Sequence, residues 1–166
     1  RAIQMLLATD NGEAERYAGD LKSLNDERKE LTAKAVDRAI NEIENTSLKE
    51  DRVLVVFLPD CHESIAGIVA GKIKERYYRP TIVLTRAEEG VKGSARSIES
   101  YNIFEKLLEC DELLTKFGGH PMAAGLSLPE ENIESLRRRL NENCNLTEDD
   151  LTEVVWIDVP MPIDYI

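Results

Sequence analysis

Val53-Leu54-Val55-Val56-Phe57-Leu58 is an unbroken apolar run, rich in β-branched residues and closed by Pro59-Asp60. A strand with apolar side chains on both faces needs cover on both, which is the situation inside a parallel or mixed sheet. The next stretch, Ser64 to Tyr77, has helical spacing, with Ile65, Ile68, Val69 and Ile73 as its apolar stripe. Ala66, Gly67, Ala70 and Gly71 form a second stripe of small residues that permits close backbone approach. Pro80 stops the helix, and Thr81-Ile82-Val83-Leu84-Thr85 reads as another strand. The whole is a βαβ unit, for which a right-handed crossover is expected.

Glu88-Glu89-Gly90 then marks a turn. From Val91 to Ile98 the chain alternates, with Lys92, Ser94 and Arg96 on one face and Gly93, Ala95 and Ser97 on the other. A short helix is expected from Ile103 to about Cys110, with Phe104, Leu107 and Leu108 inward. Leu113 to Phe117 leads into Gly118-Gly119-His120-Pro121, which reads as a loop. Ala123 to Leu128 reads as a strand. Pro129-Glu130-Glu131 suits a helix start, and Ile133, Leu136 and Leu140 supply its core stripe. The expected class is α/β, with a mixed, partly parallel sheet flanked by helices.

A long helix precedes this domain. Thr9-Asp10-Asn11-Gly12 supplies cap chemistry, and from Glu13 to about Glu44 the only helix breaker is Gly19. Apolar residues recur at Tyr17, Leu21, Leu24, Leu31, Ala35, Ala39 and Ile43. Such a helix is a coiled-coil arm or a connector between domains. Arg28 interrupts the seam, which favours the connector. The chain opens at Arg1 inside a helical pattern, so a fragment of a longer protein is expected. Residues 1–50 read as the end of a preceding domain and the connector, residues 51–145 as the main domain, and residues 146–166 as a linker with the first strand, Val154 to Ile157, of a following domain.

The net charge of −11 opposes nucleic acid, but its distribution does not. Residues 67–97 carry seven basic side chains (Lys72, Lys74, Arg76, Arg79, Arg86, Lys92, Arg96) against three acidic ones. A phosphate-binding face fits there. Cys61, Cys110 and Cys144 form no CxxC pair, as expected of reduced thiols in a cytoplasmic protein. No signal peptide is visible, and no apolar run approaches the roughly 18 residues of a membrane span. Asp149-Asp150 lacks the spacing of a metal cluster, and no metal site is assigned.

Two histidines stand where chemistry is plausible. His62 follows the first strand at the mouth of a helix, where free backbone N–H groups can meet a phosphate. A helix-capping role fits it equally well. His120 follows Gly118-Gly119, which allow close backbone approach to a ligand. Lys92, Ser94 and Arg96 share a face that either binds a phosphate or is the solvated side of a strand. Arg137-Arg138-Arg139 reads as the solvated face of the last helix.

These residues recur in a known order. His62-Glu63-Ser64-Ile65-Ala66-Gly67-Ile68-Val69-Ala70-Gly71-Lys72-Ile73, Arg79-Pro80, Gly93-Ser94-Ala95-Arg96-Ser97 and Phe117-Gly118-Gly119-His120 with Ala123-Ala124-Gly125-Leu126 resemble the DHHA1 domain of RecJ-type exonucleases over about residues 51–143. The long helix resembles the connector from the DHH domain, and the last strand resembles the start of an OB-fold domain. The resemblance implies an enzyme that degrades single-stranded DNA from the 5′ end, in repair and recombination. Its Mn²⁺ or Mg²⁺ would be held by the DHH domain, whose motif is absent from residues 1–166. The chain by itself would therefore be inactive, with single-stranded DNA and the DHH and OB-fold domains of the same chain as its partners.

The resemblance also implies that Arg96 and Ser97, with Ser94, form a phosphate-holding strand, and Lys92 joins them as a phosphate-binding candidate from its place on the Ser94 and Arg96 face. Gly118, Gly119 and His120 would be a loop closing on the substrate, and His62 part of the cleft floor. Relatives commonly have Trp before this His and Pro-Gly after it, whereas this chain has Cys61 and Glu63-Ser64. Two other readings are a different DHH phosphoesterase, acting on cyclic dinucleotides or short oligonucleotides, and a non-catalytic nucleic-acid-binding module like that of alanyl-tRNA synthetases. The first usually carries a third Gly where this chain has Phe117. The long connector and the Arg96-Ser97 strand favour the exonuclease over the second.

Overall fold

The computed structural model describes residues 2–155 and 157–161. Helices α1 (Ala2–Leu6) and α2 (Asn11–Glu44) come first. Asp10 caps α2, its carboxylate accepting the Glu13 N–H at 2.8 Å. At 1.5 Å per residue, 34 residues make α2 about 51 Å long. Only its second half is buried, through Thr32, Ala35, Ala39 and Ile43. Leu24 and Leu31 remain about half exposed, so the apolar seam read from the sequence is covered at one end only.

The remaining elements are β1 (Leu54–Phe57), α3 (Glu63–Tyr77), β2 (Thr81–Arg86), β3 (Val91–Arg96), α4 (Ile103–Leu108), β4 (Lys116–His120), β5 (Ala123–Leu128) and α5 (Ile133–Glu142). They form one five-stranded sheet in the order β1-β2-β3-β5-β4. β1 and β2 are parallel, and every other pairing is antiparallel. The expected mixed α/β class and the long leading helix are both present.

Alternation along each strand divides the core in two. Leu54, Val56 and Val83 pack with Ile65, Ala66, Val69, Ala70 and Ile73 of α3 and with Ala35, Ala39 and Ile43 of α2. Val53, Val55, Ile82, Leu84, Ala95, Ala124, Leu126 and Leu128 pack on the opposite face with Ile103, Leu107, Leu136 and Leu140 of α4 and α5. Gly93 belongs to this second layer. A Cβ there would stand 2.5 Å from Leu84 Cδ2 and 2.9 Å from Leu126 Cδ2, so two leucines fill the space a side chain would need.

The structure corrects several local expectations. Gly118-Gly119-His120 is not a loop but part of edge strand β4, paired with β5 through Gly118↔Gly125, Gly119↔Ala124 and His120↔Ala123. Two glycines carry no strand propensity, so the pairing comes from β5 alongside them. Leu108 points outward, 54% exposed. The last helix starts at Ile133, after a short 3₁₀ turn over Glu130–Asn132. Val154, Val155 and Ile157 are exposed and are not paired with another strand among the described residues. Trp156 lies outside the described residues.

Arg137 is not a solvated side chain. It is 18% exposed and grips Asp51, with Nε 2.5 Å from one carboxylate oxygen and Nη2 3.2 Å from the other, while Nη2 also donates to Ser47 Oγ. Arg79 donates to the Lys49 and Asp51 carbonyls. Arg52 donates to the Leu146 carbonyl at 2.6 Å and pairs with Glu148. Three arginines thus hold residues 47–52, where the long helix gives way to the sheet.

Candidate nucleic-acid interface

Helix α2 packs on β1 and α3 on β2 and β3, while Gly118 of β4 and Gly125 of β5 stay exposed on the same face. The uncovered part of that face is the candidate site. Directly opposed residues in a ladder point to the same side, so the register sets out three rows. Thr85, Lys92, Ser127 and Lys116 form the first, and Val83, Ser94, Gly125 and Gly118 the second. Thr81, Arg96, Ala123 and His120 form the third. Gly125 and Gly118 leave bare, exposed backbone in the middle, with basic side chains in the rows on either side.

A cleft of about 610 Å³ lies over this surface, lined by Glu63, Ser64 and Ala66 of α3 together with Lys92, Ser94, Lys116, Gly118, Gly125 and Ser127. A wider recess of about 1250 Å³ adjoins it, bounded by His62, Asp60, Glu88, Glu89, Glu130 and Glu131, with Arg86, Lys92 and Lys116. The recess wall is mainly acidic. The cleft combines Lys92, Lys116 and small polar residues with Ala66, Phe117 and Leu126.

Arg96 runs beneath α3. A Cβ on Gly67 would stand 2.8 Å from Arg96 Nη2 and 3.2 Å from Ser94 Oγ, so the small-residue stripe of α3 makes room for this guanidinium. Arg96 Nη1 donates to the Ala95 carbonyl at 2.8 Å. Among the described residues no carboxylate pairs with Arg96, and the same holds for Lys116. Lys92 differs, because its ammonium is 2.8 Å from Glu63 Oε2. The hydrogen bond and charge of Lys92 hold the Glu63 carboxyl below the usual range for glutamate. Glu63 in turn raises the ammonium above the usual range for lysine.

Both histidines accept at Nδ1. His62 caps α3, with Nδ1 receiving the Ser64 N–H at 3.2 Å and lying 2.7 Å from Ser64 Oγ. His120 Nδ1 receives the Met122 N–H at 3.3 Å. An imidazole that accepts at Nδ1 carries its proton on Nε2. Each exposed ring therefore presents an N–H donor outward. The β4–β5 turn beside His120 is tied down, with the Ser97 N–H donating to the Met122 carbonyl and the Ile103 N–H to the Pro121 carbonyl.

The structure thus brings Lys92, Ser94 and Gly118 into one cleft and puts Arg96 and His120 in the next row of the same face. Gly119 alternates to the other side. Ser97 does not reach this face. It is 1% exposed and its hydroxyl donates to the Tyr101 carbonyl at 2.6 Å, so it holds the turn after β3. His62 borders the adjoining recess rather than the cleft. Lys116, Ser127 and Thr85 were missed by sequence reasoning. Lys116 stands two residues before Gly118, a strand-period neighbour that a loop reading of Gly118–His120 conceals. Among the described residues no group of three or more His, Cys, Asp or Glu side chains is arranged to hold a metal ion.

Residues 50–146 match the DHHA1 domain family. The chain is 44% identical over 162 residues to the single-stranded-DNA-specific exonuclease RecJ of Bacillus subtilis, covering 95% of this chain and 20% of that protein. It is similar in structure to an exonuclease RecJ bound to manganese, with a TM-score of 0.79 and 28% identity over 92% of this chain and 38% of that one. It is likewise similar to RecJ of Thermus thermophilus in complex with Mg²⁺, with a TM-score of 0.76 and 28% identity over 85% of this chain and 22% of that one. The chain therefore spans about a fifth of the length of the Bacillus protein.

Proposed function

The chain belongs to the DHHA1 domain family, and from that premise we propose that it is the substrate-binding part of a RecJ-type exonuclease. The parent degrades single-stranded DNA from the 5′ end in the cytoplasm, during repair and recombination. Its Mn²⁺ or Mg²⁺ sits on a DHH domain joined through α2, and residues 146–166 are the linker and first strand of an OB-fold domain. The metal supplies the activated water. The residues of this chain hold the strand in place for it.

Arg96 is the observation that carries this reading. It is a half-buried guanidinium on the face that carries the cleft, one row beyond Ser94, kept free of carboxylates among the described residues, with room made for it by Gly67. A guanidinium so placed can bind a phosphate through two parallel hydrogen bonds. Ser94 adds a hydroxyl beside it, and His120 an Nε2–H in the same row. Gly118 and Gly125 let the sugar-phosphate backbone lie against the sheet. Fixing the strand lowers the entropic part of the barrier to cleavage.

Titrating the 166-residue chain into a fluorescein-labelled single-stranded oligonucleotide tests the reading. Weak binding that fades with salt is expected, because few phosphates are contacted and the net charge is −11. The Arg96→Ala variant should bind more weakly still. Equal binding by the two proteins, or binding indifferent to salt, overturns the assignment.

A further inference from the structure

Glu63 stands at the junction of the two concavities, lining both the cleft and the acidic recess, and so does Lys92. We propose that Glu63 is a specificity-determining residue: its carboxylate occupies Lys92 in place of a phosphate, and a strand extending toward the recess must displace it. The inference rests on the reading of the cleft as a single-stranded-DNA site.

Three features converge on it. First, the Lys92 ammonium is 2.8 Å from Glu63, so of the two lysines in the first row only Lys116 lacks an acidic partner among the described residues. Second, both members of the pair are more than half exposed, at 54% and 57%. Such a pair is weak and open to competition. Third, Glu88, Glu89 and Glu131 wait beyond it in the recess, where a further phosphate would meet like charge. The pair therefore marks a boundary. On one side lies the row that carries Arg96, which has no carboxylate partner among the described residues, and on the other a recess whose acidic side chains outnumber its basic ones. Glu63 sets how many phosphates the cleft accepts.

Salt dependence reads this directly, because its slope counts the phosphates contacted. Glu63→Gln should tighten binding of a single-stranded oligonucleotide about two- to fivefold at low salt. It should also steepen the plot of log K against log salt by about 0.7, one more phosphate on a single strand. Glu89→Gln removes the same charge without releasing Lys92, so its slope should match wild type. Glu63→Gln combined with Lys92→Gln should return the slope to the wild-type value. A Glu63→Gln slope equal to that of Glu89→Gln, or a steep slope kept in the double variant, overturns the proposal. If Arg96→Ala weakens binding while Glu63→Gln changes nothing, this inference alone falls. If Arg96→Ala has no effect either, the single-stranded-DNA reading falls with it.

Discussion

Gly67 of α3 faces Arg96 of β3 so closely that a single added carbon would sit 2.8 Å from the guanidinium. The atom in the way is the far end of a flexible side chain, so Arg96 can yield while the helix and sheet stay where they are. Gly67→Ala should therefore leave the melting temperature unchanged or raise it, since Ala is favoured over Gly in a helix by about 0.8–1.0 kcal/mol. Single-stranded-DNA affinity should fall in the same variant. Thermal melts together with fluorescence titrations check this opposition of sign, and a loss of both would show that Gly67 serves only packing.

Arg96 itself gives the larger effect. A charge-assisted hydrogen-bonded contact is worth about 1.5–3 kcal/mol, so Arg96→Ala should weaken binding about ten- to a hundredfold. Arg96→Lys should recover part of it, because an ammonium carries the charge without the planar fork. Full recovery would mean that only charge matters at this position. Binding isotherms for the three proteins decide.

Gly119 has φ +156°, and a Cβ there would lie 2.6 Å from Ala124 Cα. The obstacle is backbone on the paired strand, which cannot step aside. Gly119→Ala should destabilise the β4–β5 hairpin by about 1–3 kcal/mol, measurable by urea denaturation. His120 would shift with it.

Arg137→Ala should also cost stability, by about 1.5–3 kcal/mol, through loss of the hydrogen-bonded pair with Asp51. Its effect on DNA affinity should be small, because the pair lies at the end of α2 and not in the cleft. Denaturation and titration of one preparation separate the two.

The Glu63 carboxyl ionises below the usual glutamate range because Lys92 donates to it. The attraction of the pair is therefore fully present above the ordinary glutamate pKa. It persists through that value and is lost only as pH falls through the depressed one. Side-chain carboxyl titration by NMR should give a low midpoint for Glu63, returning to the ordinary value in Lys92→Gln. An unchanged midpoint in that variant would show that the pair does not form in solution.

Local pattern alone was enough to determine much of this molecule. The apolar run at Val53–Leu58, the helical stripe after Ser64 and the stop at Pro80 prescribed a βαβ unit, because each needs only nearest-neighbour chemistry to be read. The period of two along β3 put Lys92, Ser94 and Arg96 on one face before any partner strand was known. Glycines at 67 and 118 and the histidines at 62 and 120 likewise stood out. What residues far apart in the chain decide was not readable. Gly118–His120 became a strand only because β5 lies beside it, and that pairing brought Lys116 into the cleft. Alternation already set Ser97 opposite Arg96, but its partners, the Met122 and Tyr101 carbonyls, came only with the fold. Arg137 met Asp51 across 86 positions, and Lys92 met Glu63 across 29. In each case an ion or a backbone group found a distant partner. Short-range propensity carries no information about such partners, so only the tertiary structure could settle which charges in the cleft remain free.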